Sequence, residues 1–428
     1  MKKLPQNPDF HKRNRETMIQ GLKPASIAIV IGNDVVNRNG DQDFPFRQSS
    51  DLYYLTGIEQ EKTILAICPH HPDPKLREVL FLVKPEPLSE IWTGHKLTRD
   101  EARTISKIQT IKWIDELELT LRDMILSSEN IYLNLNEYVK YQNPVKYLPQ
   151  RLAHKFKEEY PAHHFHRLAP LITEQRLIKH PEELDRMKEA CKITGSAFER
   201  ILKFVKPGVY EYEIEAEITH EYIRSGARGH AYQPIIGSGK NALVLHYIAN
   251  SDLCKEGDLL LMDFGAEYGY YAADCSRTIP VSGKFTPRQK VCYEAVLRVQ
   301  KEATSLFVPG NTIDKINKEV WTMMEKEMIG LDLFTKEAVQ DQNPDHPLFF
   351  KYLMHGVVHF IGLDVHDVGG KYRKLEKGMV LTLEPGIYIK DENIGIRIEN
   401  NIVVDDEPID LMADIPREVD EIESLMNQ

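Results

Sequence analysis

Cysteine is scarce in this chain. Its five residues, Cys68, Cys191, Cys254, Cys275 and Cys292, are spread over 428 positions without a CxxC pair, so neither a disulfide framework nor a structural zinc knot is expected, and a reducing compartment fits best. Long apolar runs are also missing. A membrane-spanning helix needs roughly 18 or more consecutive apolar residues, and no such run occurs. The opening MKKLPQNPDFHKR is charged but leads into no apolar core of a signal peptide, which makes the cytoplasm the expected location and excludes a membrane partner. Positive charge is in short supply: 54 Lys and Arg against 65 Asp and Glu leave a formal net charge of −11. Phosphate recognition needs clustered cations, so no nucleic-acid partner is expected. No low-complexity tract or internal 20–50-residue repeat interrupts the first part of the chain.

What is present is enough apolar residue, 42% of the chain, to build two domains with a core each. Strand and helix signals alternate up to about residue 160, through SIAIVI at Ser26–Ile31, TILAICP, VLFLVKP and a charged helical region around Thr98–Ile108. That alternation predicts an α/β domain. The pattern changes across His163–Leu177, and the boundary is set between 172 and 173, giving domains 1–172 and 173–428. Beyond it the spacing predicts helices over 181–205, stopped by Pro207-Gly208, and 211–225, and two more over 287–307, ended by Pro309-Gly310, and 312–329. Each helix pair is followed by an apolar hairpin. The expected fold is a two-domain chain, α/β then α+β, the second part made of two related halves.

Both hairpins carry acids where a strand should be apolar. LLLM precedes Asp263 and YYAA precedes Asp274; VLTL precedes Glu384, and Glu399 follows GIRI. A hairpin centred on Tyr268-Gly269 sets Asp263 opposite Asp274, and one centred between Asp391 and Glu392 sets Glu384 opposite Glu399. Directly opposed like charges are destabilising, and a buried unpaired carboxylate costs several kcal/mol or more. A solvated turn or a salt bridge would explain any one of these acids. Two opposed pairs, with His355, His359 and His366 between them in sequence, predict a shared cation.

Four carboxylates with one imidazole suit Mn²⁺, Co²⁺, Fe²⁺ or Zn²⁺ in an open catalytic site rather than a closed structural one. Their charge suffices for two ions sharing a water, and the implied reaction is hydrolysis. HGVVH has the spacing of two imidazoles on one helix face, but it lacks the glutamate of HExxH, and Gly356, Val357 and Val358 weaken a helix. His359 is therefore the expected ligand, with His355 and His366 lining the pocket. His246, in LVLHYIAN, reads on its own as a histidine satisfied within an apolar strand.

Several separate stretches in order, FRQSSDLYYLTG and EIWTG, then GSGKNALVLHY, MDFGAEYGYYAADCSRT, HGVVHFIGLDVHD, TLEPGIYI and GIRIEN, resemble the pita-bread metallopeptidases, and among them the aminopeptidase P branch, over most of the chain. The resemblance implies a creatinase/aminopeptidase P-like N-terminal domain before a pita-bread catalytic domain, and a dinuclear site, usually Mn²⁺. It implies that Asp263 chelates one ion, that His359 and Glu384 hold the other, and that Asp274 and Glu399 bridge them. Glu384 would also handle the proton, as base and then acid. It further implies that His246 and His366 bind substrate and steady the tetrahedral intermediate, that His355 lines the proline pocket, that Arg397 is a substrate-side or shuttle residue, and that Tyr232 and Tyr388 support the ligands. The substrates implied are short peptides with N-terminal Xaa-Pro, and the assembly a homodimer or homotetramer. Trp92 then reaches a neighbouring subunit's active site or is an ordinary core residue. The alternatives are a prolidase, which cleaves only dipeptides; a methionine aminopeptidase, which lacks such a first domain; and a non-catalytic pita-bread binding protein, whose mark would be lost ligands.

Overall fold

Apolar runs with no polar alternation build the middle of the first unit's sheet. The computed structural model describes residues 7–141 and 145–428, and the chain divides between Gln175 and Arg176 into two compact units. In the first, six strands are ordered Thr110–Trp113, Glu78–Leu82, Ile64–Ile67, Ser26–Ile31, Asn130–Leu133 and His164–Arg167. All six residues of Ser26–Ile31 are buried, as expected of a strand covered on both faces. The helix Pro8–Gln20 begins with Pro at its first turn and with the Asn7 side chain accepting from Phe10 N–H, two of the start signals a helix can carry. It buries Arg15, whose guanidinium donates to Glu78 Oε1 at 2.6 Å and to the Leu55 carbonyl at 2.7 Å. The FRQSSDLYYLTG stretch forms the helix Ser50–Thr56, ended by Gly57 at φ +69°.

In the second unit the four long helices are Pro181–Phe204, Glu211–Arg224, Pro287–Ala303 and Ile313–Gly330. Their starts follow local chemistry: Glu183 accepts from His180 N–H at 2.9 Å, and Thr286 and Gln289 cap each other's backbone. Their apolar faces close on the strands in one core, Phe198 meeting Phe264 with ring centroids 6.2 Å apart. The strands form an antiparallel set Ile235–Ser238, Leu259–Phe264 and Cys275–Pro280, a second set Val380–Leu383, Asn400–Val403 and Ile409–Asp410, and the pair Gly386–Ile389 with Ile394–Arg397. Helix pair, hairpin, helix pair, hairpin is thus the observed order. Among the described residues no helix is long and apolar enough to cross a membrane, and all five cysteines are free and buried.

Candidate metal centre

The second hairpin has the expected register. Leu383 faces Asn400 and Gly386 faces Arg397, so Glu384 and Glu399 fall at matching positions in the gap between two ladders. The first hairpin is offset from the expected register by two residues. Asp263 faces Ser276, not Asp274, and the turn falls on Gly269-Tyr270, both at positive φ. A shift of two leaves every side chain on its original face, so the acids still meet. Tyr232 Oη lies 2.5 Å from Asp263 Oδ1 and 2.6 Å from Asp274 Oδ1. The close approach depends on Gly265, where a Cβ would sit 1.8 Å from the Ala273 carbonyl oxygen.

His359 joins them from the irregular stretch after the fourth helix; HGVVH is not helical. Its Nδ1 lies 3.0 Å from the Phe360 carbonyl and donates to it, which turns Nε2 toward Asp274 Oδ2 at 3.3 Å and Glu384 Oε1 at 3.7 Å. Asp274, His359 and Glu399 each offer a ligand atom within 4.8 Å of the others. Arg397 donates to Asp263 Oδ2 at 2.7 Å, to Tyr388 Oη at 2.9 Å and to Ser276 Oγ at 2.7 Å. His355 Nε2 is 3.0 Å from the same Tyr388 hydroxyl.

The electrostatics call for a cation. Burial pushes Glu384 up to about 7, and burial with the charges of Asp274 and Glu384 raises Glu399 well above the carboxylate range. Asp263 is raised by burial against the opposing pull of Arg397. Burial disfavours charge on His359, but Asp274 and Glu384 outweigh it and lift the imidazole to about 9. His355 goes the other way, to about 4, through burial and the charge of Arg397. Glu399 Oε1 is buried and has no hydrogen-bond partner. The Tyr232 hydroxyl has one proton for two carboxylates, so one of its short contacts requires a positive charge or a proton nearby. An oxygen-rich set with one imidazole, an orphaned carboxylate oxygen and a surplus of negative charge fits divalent metal.

His246 also departs from expectation, and of the two settings expected for Trp92 one falls away. His246 is not on a strand but on an exposed turn after the short 3₁₀ segment Gly239–Leu243, close enough for its charge to be felt at His355. Trp92 is no core residue: it is 82% exposed on the short helix Pro87–Thr93. His366 is exposed too, its ring centroid 4.3 Å from that of His359. Residues missed in the sequence hold the acids in place. Ser276 donates to Glu399 Oε2 at 2.8 Å, Asn401 brackets the Asp274 backbone at N–H and carbonyl, and Thr382 Oγ1 accepts from His359 N–H at 3.1 Å. Arg277, fully buried, donates to the Glu399 carbonyl at 2.8 Å and to Asn400 Oδ1 at 2.9 Å. Of these, local pattern marks only Arg277, a charge in the middle of the otherwise buried strand Cys275–Pro280.

The model of metallopeptidase family M24 matches residues 185–406, just over half of the chain. The chain belongs to that family. Ahead of the M24 region, residues 11–132 match the aminopeptidase P N-terminal domain. The Xaa-Pro aminopeptidase of Escherichia coli is 34% identical, over 97% of this chain and 97% of its own length. Human Xaa-Pro aminopeptidase 3 is 30% identical, over 94% of this chain and 80% of its own. Among solved structures, E. coli aminopeptidase P with the inhibitor Pro-Leu superposes with a TM-score of 0.88 at 32% identity, covering 98% of both chains, and a zinc-substituted form of the E. coli enzyme with product gives the same TM-score at the same identity and coverage. This M24 chain is a metallopeptidase dependent on divalent metal, with the pita-bread catalytic fold behind an aminopeptidase P-type first domain.

Proposed function

We propose that this chain releases the N-terminal residue from peptides whose second residue is proline. The observation that carries the reading is the full-length likeness to Xaa-Pro aminopeptidases through both domains, which a prolidase or methionine aminopeptidase reading does not explain. We assign Asp263, Asp274, His359, Glu384 and Glu399 as the residues that would hold two divalent ions, most naturally Mn²⁺: Asp274, His359 and Glu399 offer ligand atoms within 4.8 Å of one another, Glu384 Oε1 lies 3.7 Å from His359 Nε2, and Asp263 shares the Tyr232 hydroxyl with Asp274. The ions, when bound, supply Lewis acidity that polarises the scissile carbonyl and acidifies a water.

The chain's own residues do the rest. Glu384 takes a proton from the attacking water and returns it to the proline nitrogen. Arg397, read as a substrate-side residue, also keeps Asp263 and Tyr388 in place. His355, neutral near physiological pH, lines the pocket beside Tyr388. His246 and His366, exposed at the rim, meet the substrate.

The same proposal includes a homodimer or homotetramer. Leu88, Ile91 and Trp92 are 71%, 78% and 82% exposed on one short helix, and a cluster of large apolar side chains left in water is the mark of an interface. A cytoplasmic location, supported by five unpaired cysteines, belongs to it as well.

The test is hydrolysis of three peptides by the purified chain with Mn²⁺, namely an Xaa-Pro-Yaa tripeptide, an Xaa-Pro dipeptide and a Met-Ala-Yaa peptide. Cleavage of the tripeptide before proline, abolished by chelator, is expected. Cleavage of the dipeptide alone would make the chain a prolidase and overturn the proposal.

A further inference from the structure

The HGVVHFIGLDVHD stretch contains two acids, Asp364 and Asp367, that the metal assignment does not use. Asp367 is buried, and so are the cations that meet it. Arg176 Nη2 lies 2.5 Å from its Oδ1 and Lys179 Nζ 3.1 Å from its Oδ2, with side-chain exposures of 4%, 1% and 1% for Arg176, Lys179 and Asp367. Arg176 also reaches Asp364 Oδ2 at 2.8 Å. A buried ion pair contributes little net stability over apolar packing of the same volume, because desolvation offsets attraction. What it does impose is geometry, since every oxygen must meet its donor.

The segment it acts on is a loop. Residues 361–370 form neither helix nor strand. The loop is tied down by Ile361 N–H to the Val380 carbonyl at 3.1 Å, Asp367 N–H to the Phe360 carbonyl at 2.9 Å, and Ala272 N–H to the Gly362 carbonyl at 2.9 Å. At Gly362 a Cβ would lie 2.3 Å from Asp367 Oδ2 and 2.9 Å from Lys179 Cε, so the charged cluster is seated directly on the loop backbone. His366 immediately precedes Asp367 and rests its exposed ring on His359.

We propose that Asp367, clamped by Arg176 and Lys179, is a positioning residue that holds His366 against His359 at the metal centre. This rests on the reading of His366 as a substrate-binding residue. If Asp367 acts through His366, its effect must vanish when that imidazole is gone.

The experiment is a double-mutant cycle of Asp367→Asn with His366→Ala, read as kcat/KM on the Xaa-Pro-Yaa tripeptide, with metal content measured on each variant. Asp367→Asn alone is expected to lower kcat/KM about 10-fold or more, the cost of a misplaced contact group. In the His366→Ala background the same change is expected to cost less than about 2-fold. Lys179→Met, which keeps the Arg176 contact, runs the same cycle if Asp367→Asn does not fold. A second readout needs no turnover: the His366 ring Cε1–H NMR signal, assigned by its loss in His366→Ala, is expected to move in Asp367→Asn and in Lys179→Met. Equal losses in both backgrounds, or an unmoved signal, would overturn the proposal. A wild-type protein that leaves the tripeptide intact would refute the assigned reaction, and the ring signal would then decide the positioning by itself.

Discussion

At the scale of single residues, the centre is a competition between protons and metal for the same donors. In the metal-free chain Glu384 holds a proton up to about 7 and His359 up to about 9, and both must be lost before these groups act as ligands. Metal binding at pH 7 is therefore predicted to release protons, and affinity to rise with pH until about 9. Calorimetry of Mn²⁺ binding in buffers of different ionisation enthalpy checks this; an apparent enthalpy independent of buffer would contradict it. Ser276 is predicted to matter to metal retention, because its hydroxyl is the donor that orients Glu399. Ser276→Ala should weaken metal binding by about 10-fold or more, the usual effect of losing such a support, and Ser276→Thr should restore it in a competitive chelator titration. The candidate acids stood out in the sequence because a carboxylate after LLLM or VLTL has no ordinary reason to be there. Ser276, Thr382 and Asn401 did not, since small polar residues occur in strands for many reasons and their contacts come from residues far along the chain.

At the scale of elements, the hairpins decide which atoms meet. The Lys390-Asp391-Glu392-Asn393 turn announced itself by polarity, and Asn393 takes the left-handed conformation at φ +52°, so that register could be read. In the first hairpin the two central turn residues are Gly269 and Tyr270 at φ +58° and +74°. A two-residue turn of this kind needs positive φ at both positions, and an aromatic residue there gives no warning, which is why the expected register was two residues off. Gly265→Ala is predicted to force the hairpin open at the Ala273 carbonyl, costing at least about 2 kcal/mol. Denaturation of the variant, together with loss of bound metal, checks it. The helix Pro181–Phe204 carries a second titrating element. Burial lifts Glu183 from an unfolded value of 4.5 to about 7, against the opposing pull of the His180 N–H and Tyr271 hydroxyl bonds. The folded chain thus binds the extra proton, so this group's contribution is complete below pH 4.5 and is lost as pH rises through 7, by up to about 3 kcal/mol. Urea midpoints at pH 5 and pH 8 should fall more steeply for the wild type than for Glu183→Gln; parallel changes would contradict the assignment.

At the scale of the whole molecule, the order of helices and hairpins was legible because periodicity and Pro-Gly stops mark long amphipathic helices plainly. The convergence of Asp263, Asp274, His359, Glu384 and Glu399 was legible only as a demand for a cation. The placement of His246 on a turn and Trp92 in solvent depends on surroundings that local pattern does not encode. Trp92→Glu is predicted to shift the chain toward monomer in analytical ultracentrifugation, since a charge on the exposed apolar helix opposes burial there. Everything rests on the acid cluster being built for metal. The direct measurement is metal content per chain, by atomic emission after dialysis against Mn²⁺, for the wild type and Asp274→Asn. Two equivalents in the wild type and fewer than one in the variant are predicted, whereas a wild type that retains no metal, or a variant that retains as much, would contradict the account.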